Sequence, residues 1–209
     1  MNGRKVSEAV VRRLPRYYRR LELLKRKGVE RISSSELAQQ MNLNPSQVRQ
    51  DLNCFGGFGQ QGYGYHVSTL FDEIANILGL TQQYKLVIVG AGNIGQALVQ
   101  YEGFRQQGFM VVALFDVNEK IVGSEIAGLP VLHVDELKQF IEENNVDIGI
   151  IAARRSAAQD IADTMADAGI RGIWNFVPTD VTADVPLENV HLSDSMLVLS
   201  YRLNEQGEK

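Results

Sequence analysis

YKLVIVGAGNIGQALVQYEGFRQQGFMVVALFD, residues 84–116, is the stretch from which the fold of this chain is read. Leu86, Val87, Ile88 and Val89 form a short unbroken apolar run rich in β-branched residues, the pattern of a strand covered on both faces of a parallel sheet. Gly90, Gly92 and Gly95 follow at once with G-x-G-x-x-G spacing. In such a turn the first glycine permits the tight bend, the second lets a pyrophosphate approach the backbone, and the third lets the next helix pack closely on the strand. The phosphates are then met by the free N–H groups and positive dipole end of that helix, so Gly90, Ala91, Gly92, Asn93, Ile94 and Gly95 are candidate cofactor-binding residues. A second apolar strand from Met110 to Phe115 ends in Asp116, where an acid accepts hydrogen bonds from ribose hydroxyls and favours NAD over NADP. Spacing alone is weak evidence in a chain with 19 glycines. The strand before, the helix after and the acid at the second strand's tip make it specific for a dinucleotide.

Outward from this unit the α/β rhythm continues. Asp135 is expected to cap a helix to about Glu143, residues 147–152 to form a strand, Ser156 to cap a helix to Ala168, and residues 172–176 to form another strand. Ligands gather at the carboxyl ends of strands in an open parallel sheet, which nominates Ala152, Ala153, Phe176 and Pro178 as neighbours of the cofactor. Residues 190–192 are expected as a last strand. Asp194 would then cap a final helix whose Met196, Leu197, Leu199 and Ser200 give a mostly apolar surface that requires a partner.

The chain before this unit differs in charge. Residues 1–66 hold 12 basic and 5 acidic side chains, a surplus of +7, whereas the remainder holds 9 basic and 20 acidic, or −11, within a total of −4. Opposite signs on two halves point to two domains with different partners, the basic one facing a polyanion. Residues 8–27 carry an amphipathic stripe of Val10, Leu14, Tyr17, Leu21 and Leu24, with Ser7 as N-cap; Pro15 divides it into a short and a longer helix, or kinks a single one. Ser33 and Glu36 have capping-box spacing at the start of a helix carrying Leu37, Ala38 and Met41. Asn44 then caps a second helix with Pro45 at its first position. Two short helices joined by a tight turn form a helix-turn-helix, whose second helix enters the major groove. On that second helix Val48, Leu52 and Phe55 share the inward face, which leaves Ser46, Gln47, Arg49, Gln50 and Asn53 outward. Arg and Gln are the side chains that pair bidentately with guanine and adenine. The glycine-rich, aromatic run 56–66 cannot be helix and reads as a β-hairpin wing, with Gln60, Gln61, Gly62, Tyr63 and Gly64 as candidate DNA contacts. Ser68 is expected to cap a helix to Leu78 that leads into the second domain.

Other chemistries find little support. The single cysteine, Cys54, excludes a disulfide framework, and His66, His133 and His191 have no metal-ligand spacing. With no apolar run of membrane length and no hydrophobic leader, a cytoplasmic protein is expected. An NAD-dependent dehydrogenase would need a proton donor beside the nicotinamide. The nearest candidate is His191, which reads as structural.

The motifs QVRQDLNCFGGFGQQGYGYHV at 47–67, GAGNIG at 90–95 and NFVPTD at 175–180 occur in an order that closely resembles the redox-sensing transcriptional repressor Rex family. The resemblance spans nearly the whole chain. It implies an α/β protein with an N-terminal winged helix-turn-helix domain (1–80), a Rossmann-like doubly wound sheet binding NADH or NAD+ (81–192), and a C-terminal helix (193–209) swapped between the subunits of a homodimer. It also implies repression from a near-palindromic double-stranded operator that is released by NADH, with Arg13, Tyr101 and Asp194 in a redox-dependent hydrogen-bond network. A regulator that reads nucleotide occupancy and ignores oxidation state is left open by the fingerprint, which binds the half common to both cofactor forms. Four positions depart from the family's pattern. Gln60 and Gln61 replace basic wing residues, Cys54 ends the recognition helix as an expected packed thiol, and Val198 stands where many relatives carry glutamate.

Overall fold

A computed structural model describes residues 6–60 and 63–207. Its contacts divide the chain into two units, Met1–Gln82 and Gln83–Lys209.

The first unit begins with a short helix α1 (Glu8–Val11) and a longer α2 (Leu14–Arg26), with Pro15 in the first turn of α2, where its missing N–H costs no helical bond. After strand β1 (Arg31–Ile32), Ser33 and Glu36 form the reciprocal capping box that starts α3 (Ser34–Met41). Left-handed Asn42 ends α3, and Asn44 Oδ1 accepts from Gln47 N to open α4 (Pro45–Asn53). Strands β2 (Gly59–Gln60) and β3 (Gly64–His66) pair antiparallel as a hairpin, and β3 also pairs with β1. Helix α5 (Val67–Ile77) follows directly. Tyr17, Leu21, Leu37, Val48, Leu52 and Leu70 are almost fully buried in one core between these helices and the small sheet. Each such side chain stabilises the unit by about 2 kcal/mol relative to exposure.

The second unit is a seven-stranded sheet. In chain order its strands are β4 (Tyr84–Val89), β5 (Phe109–Asp116), β6 (Glu125–Ile126), β7 (Leu129–His133), β8 (Ile148–Ile151), β9 (Gly172–Asn175) and β10 (Leu187–Asn189). Its spatial order is β10-β9-β8-β4-β5-β7-β6, parallel throughout except for the β6–β7 hairpin at one edge. Alternation along the strands sorts the core into two faces. Val87, Val89, Phe115 and Ile151 pack with α8 (Leu137–Asn144) and α9 (Ala158–Asp167), whereas Leu86, Ile88, Leu114 and Ile150 pack toward α6 (Asn93–Val99) and α7 (Glu102–Gln106). The order reverses beside β4, the switch point at which such sheets open a crevice. Helix α10 (Leu192–Gly207) closes the chain with Leu192, Met196, Leu197, Tyr201 and Leu203 all at least 60% exposed.

The structure moves several expected boundaries. Ser68 is not the cap of α5: the helix starts at Val67, straight out of β3, and the Ser68 and Thr69 hydroxyls both reach His66 Nδ1. Asp135 and Ser156 each fall inside a three-residue 3-10 turn, Val134–Glu136 and Arg155–Ala157, that precedes the α-helix proper. The last strand lies three residues earlier than expected because Asn189 is drawn into a buried amide network at Asn175, and α10 therefore begins at Leu192, with Asp194 inside its first turn. The β6–β7 hairpin has no periodic mark in the sequence: β6 has two residues, too few for a period to show, and Pro130 interrupts the strand pattern of the five-residue β7.

Candidate functional site

A cavity of about 1060 Å³ lies in the second unit at the carboxyl ends of β4, β5 and β8. Gly90, Gly92, Asp116, Ala152 and Ala153 line it, together with Arg154, Lys138 and Asp160, which the sequence reading did not single out. The backbone shows why glycine stands at these positions. Gly90 adopts φ +106° and its α-carbon faces the Ala152 carbonyl so closely that a side chain would collide with it. A Cβ at Gly95 would collide with the Gly90 carbonyl, so only glycine lets α6 sit this near the strand. Nothing lies within 4 Å of a Cβ built on Gly92, which leaves that backbone open to a ligand. Helix α6 starts at Asn93, and the N–H groups of its first turn have no acceptor within the helix.

Asp116 is held by two backbone donors. Its Oδ2 accepts from Ala91 N at 2.8 Å and its Oδ1 from Asn118 N at 2.9 Å, so the acid ties the glycine turn to the end of β5. Each oxygen retains a further lone pair for a ribose hydroxyl.

Ala91 and Gly95 are buried behind the turn, Asn93 and Ile94 are exposed on α6, and none of the four lines the cavity. Tyr101, Phe176 and Pro178 are likewise outside that lining. Tyr101 and Phe176 are instead the two ends of an aromatic chain: Tyr101 meets Phe104 at 4.9 Å between ring centroids, Phe104 meets Trp174 at 5.7 Å, and Trp174 meets Phe176 at 4.4 Å. Tyr101 is 58% exposed and borders a smaller apolar cavity of about 300 Å³. Pro178 sits exposed in the loop after β9. Fully buried Asn175 holds that loop, donating to Thr179 O and Asn189 Oδ1 at 2.8 Å while its Oδ1 accepts from Val177 N.

In the first unit the recognition helix is fixed from within by a carboxylate that the sequence reading passed over. Asp51 is 1% exposed and shares the inward stripe with Val48, Leu52 and Phe55 at i, i+3, i+4 and i+7 spacing, a placement that a helical wheel reveals. Arg13 grips it through Nε at 2.6 Å and Nη2 at 2.8 Å, Tyr17 donates its hydroxyl at 3.0 Å, and Gln47 donates Nε2 at 2.8 Å. Burial raises the Asp51 carboxyl, but the hydrogen bonds from Arg13, Gln47 and Tyr17 outweigh it and hold the group below the usual aspartate range. Burial first, then the bond to this carboxylate, pushes the Tyr17 hydroxyl well up. Arg13 therefore meets a carboxylate of its own unit.

The outward set also needs revision. Gln47 is partly buried and engaged by Asp51, so it is not a free outward side chain. Ser46, Arg49 and Gln50 are exposed, and Arg49 is preorganised by hydrogen bonds to Ser34 Oγ and Ser46 Oγ, both 3.1 Å. Cys54 is exposed, which corrects the packed-thiol expectation: it follows Gln50 by four residues on the polar face and donates its thiol to the Gln50 carbonyl. In the hairpin Gln60 pairs with Gly64, and Tyr63 is 71% exposed, while Gln61 and Gly62 lie outside the described residues. Among the described residues no group of three or more His, Cys, Asp or Glu could hold a metal ion, and no helix is long and apolar enough to cross a membrane.

Comparison with known proteins matches both units. Residues 81–179 fit the family model described as a CoA binding domain, and residues 5–53 fit the one described as a putative DNA-binding protein N-terminus. The chain is 53% identical over 203 residues to a protein named redox-sensing transcriptional repressor Rex in Caldicellulosiruptor saccharolyticus, covering 96% of this chain and 93% of the relative. To the protein of the same name in Clostridium tetani it is 50% identical over 207 residues, 98% of each chain. Among solved structures, RSP in complex with β-NAD+ and operator DNA superposes with a TM-score of 0.92 at 50% identity, covering 98% of this chain and 95% of the other. RSP in complex with β-NADH superposes at 0.91 and 47% identity, covering 98% and 97%.

Proposed function

The chain belongs to the Rex family of redox-sensing transcriptional repressors, and from that premise we propose that it binds operator DNA and releases it when NADH rises relative to NAD+. The observation that carries this reading is similarity over nearly the full length to RSP, seen once with β-NAD+ and operator DNA and once with β-NADH. The chain is a regulator and not a dehydrogenase; its relatives are named repressors.

The cavity's residues fit the adenosine half of NAD(H). Gly92 offers open backbone to the pyrophosphate, the first turn of α6 offers N–H donors, and Asp116 offers acceptors to the ribose. CoA and NAD share an adenosine diphosphate, which accounts for the name of the matching family model. CoA carries a phosphate on its ribose, which the Asp116 carboxylate would repel. NAD(H) supplies a nicotinamide ring that is cationic when oxidised and neutral when reduced. An apolar surround such as the Tyr101-to-Phe176 aromatic chain would favour the neutral ring. Tyr101, Phe176 and Pro178 are assigned to that half of the site.

Ser46, Gln47, Arg49 and Gln50 on α4 are assigned to the major groove, and Gln60, Gln61, Gly62, Tyr63 and Gly64 to contacts by the wing. Residues 1–80 would act as the DNA-binding unit, 81–192 as the nucleotide unit and 193–209 as the dimerisation helix, so a homodimer would span a near-palindromic site in the cytoplasm. Asp194 and Tyr101 remain in the proposed redox network; Arg13 joins it only by exchanging the Asp51 carboxylate for another.

The test uses a duplex selected by the full-length protein from a random pool in the presence of NAD+. NADH should lower affinity for that duplex and NAD+ should not. Equal effects of the two would leave a sensor of nucleotide occupancy only, and consumption of NADH with a small carbonyl compound would restore the dehydrogenase.

A further inference from the structure

Asp51 is the one buried acid among the described residues of the first unit, and it reaches Gln47 on the recognition helix. Gln47 is the third residue of α4, where a recognition helix meets base edges, and its side chain lies one turn before Asp51 on the same face. An ionised carboxylate can only accept hydrogen bonds, so it dictates which end of the Gln47 amide faces it. The nitrogen turns inward, at 2.8 Å from Oδ1. The opposite flip would set two oxygens against each other. Arg13 and Tyr17 hold the carboxylate from the α2 side, which prevents it from turning away. One amide hydrogen of Gln47 is thereby spent on Asp51, and Oε1 with the second hydrogen forms the edge that is left.

We propose that Asp51 is a positioning residue for base recognition: by fixing the Gln47 amide it presents an acceptor and a donor side by side, the edge that pairs with adenine N6 and N7 in the major groove. Guanine offers two acceptors at that edge and cytosine a lone donor, so neither matches both atoms. This assignment rests on the repressor reading above and adds to it a base and a residue that never touches DNA.

The experiment scans each position of the selected half-site with all four bases, using full-length wild type, Asp51→Asn, Gln47→Ala and the double variant. Non-specific duplex binding, nucleotide binding and thermal melting are measured alongside. Wild type should show one adenine whose replacement weakens binding on the order of tenfold, the discrimination one base-edge contact supplies. Gln47→Ala should erase that preference. Asp51→Asn, which lets the amide flip, should weaken the same preference while non-specific binding persists, and the double variant should resemble Gln47→Ala alone. Tyr17→Phe removes a different bond to the same carboxylate; it should lower the melting temperature and keep the preference. Where Asp51→Asn does not fold, Asp51→Glu serves instead, since it keeps a charge for Arg13 and displaces the acceptor by one methylene. An adenine preference unchanged in a folded Asp51 variant overturns the proposal, as does additivity of the two substitutions or an equal loss in Tyr17→Phe. Specific binding without any Gln47-dependent position overturns this inference alone. Absence of specific duplex binding by the wild type overturns the repressor reading and this one with it.

Discussion

At the residue scale the two acids that matter most are distinguished by what surrounds them. Asp51 is buried and Arg13 is only 20% exposed at its side chain, so the pair is poorly screened. Removing one partner of such a pair leaves a buried charge without its counterion. Arg13→Ala should therefore destabilise the first unit by about 3 kcal/mol, measured as faster hydrogen exchange of α2 and α4 amides. The pH dependence follows from the lowered Asp51 carboxyl. Its contribution is complete above the ordinary aspartate value of about 4 and is lost as pH falls through the folded value. The stability advantage of wild type over Asp51→Asn should thus be constant near neutrality and shrink below about pH 4 in thermal melts taken at stepped pH. Asp116 lies at the rim of an open cavity and acts through directed hydrogen bonds. Asp116→Ala should weaken NADH binding about tenfold, in keeping with the loss of one or two hydrogen bonds, and an unchanged affinity by fluorescence titration would show that the ribose is held elsewhere.

At the element scale, legibility depended on how many residues an element has and what determines its ends. The unit 84–116 was readable because a six-residue strand, a glycine turn whose backbone permits no side chain and an eight-residue strand each leave their own mark. Helices α3 and α4 were readable because their caps are side-chain bonds to the backbone. Four expected caps failed because the preceding chain sets the helix start: β3 delivers the chain into α5, local 3-10 turns precede α8 and α9, and the Asn175–Asn189 amide pair fixes where β10 stops and α10 can start. Of the residues nominated from the sequence, Gly90, Gly92 and Asp116 line the cavity and Arg49 stands exposed on α4. Asp51 was not, because an acid on an apolar stripe looks like surface until Arg13, 38 residues away, is brought beside it. The recognition helix carries its own prediction. Arg49 is exposed yet preset by Ser34 and Ser46, so little side-chain entropy remains to be lost on binding. Arg49→Ala should lower specific duplex affinity at least tenfold and leave NADH binding intact; unchanged affinity would mean that α4 is not the reading helix.

At the scale of the whole molecule, the question is what turns one nucleotide site and one reading helix into a switch. The basic first third of the chain supplies attraction to phosphates and is salt-sensitive by nature. Attraction of that kind does not distinguish an operator from other DNA, and one four-turn-or-shorter helix reads few bases. Two copies held at a fixed separation read twice as many, and the second half-site is then bound at high effective concentration. Helix α10 is the element suited to hold them: it is 16 residues long, and Met196, Leu197, Val198, Leu199 and Tyr201 are about half exposed or more, an apolar surface that water disfavours. Ending the chain at His191 should therefore give a monomer by sedimentation, with affinity for the selected duplex reduced more than about a hundredfold. Binding to a single half-site should change little, because α4 and the wing are untouched. Adenosine-half contacts are untouched as well, so the truncated chain should still bind ADP-ribose as wild type does. A truncated chain that stays dimeric would assign the interface to another face of the nucleotide unit. One that is monomeric yet keeps full affinity would show that a single copy carries all of the recognition.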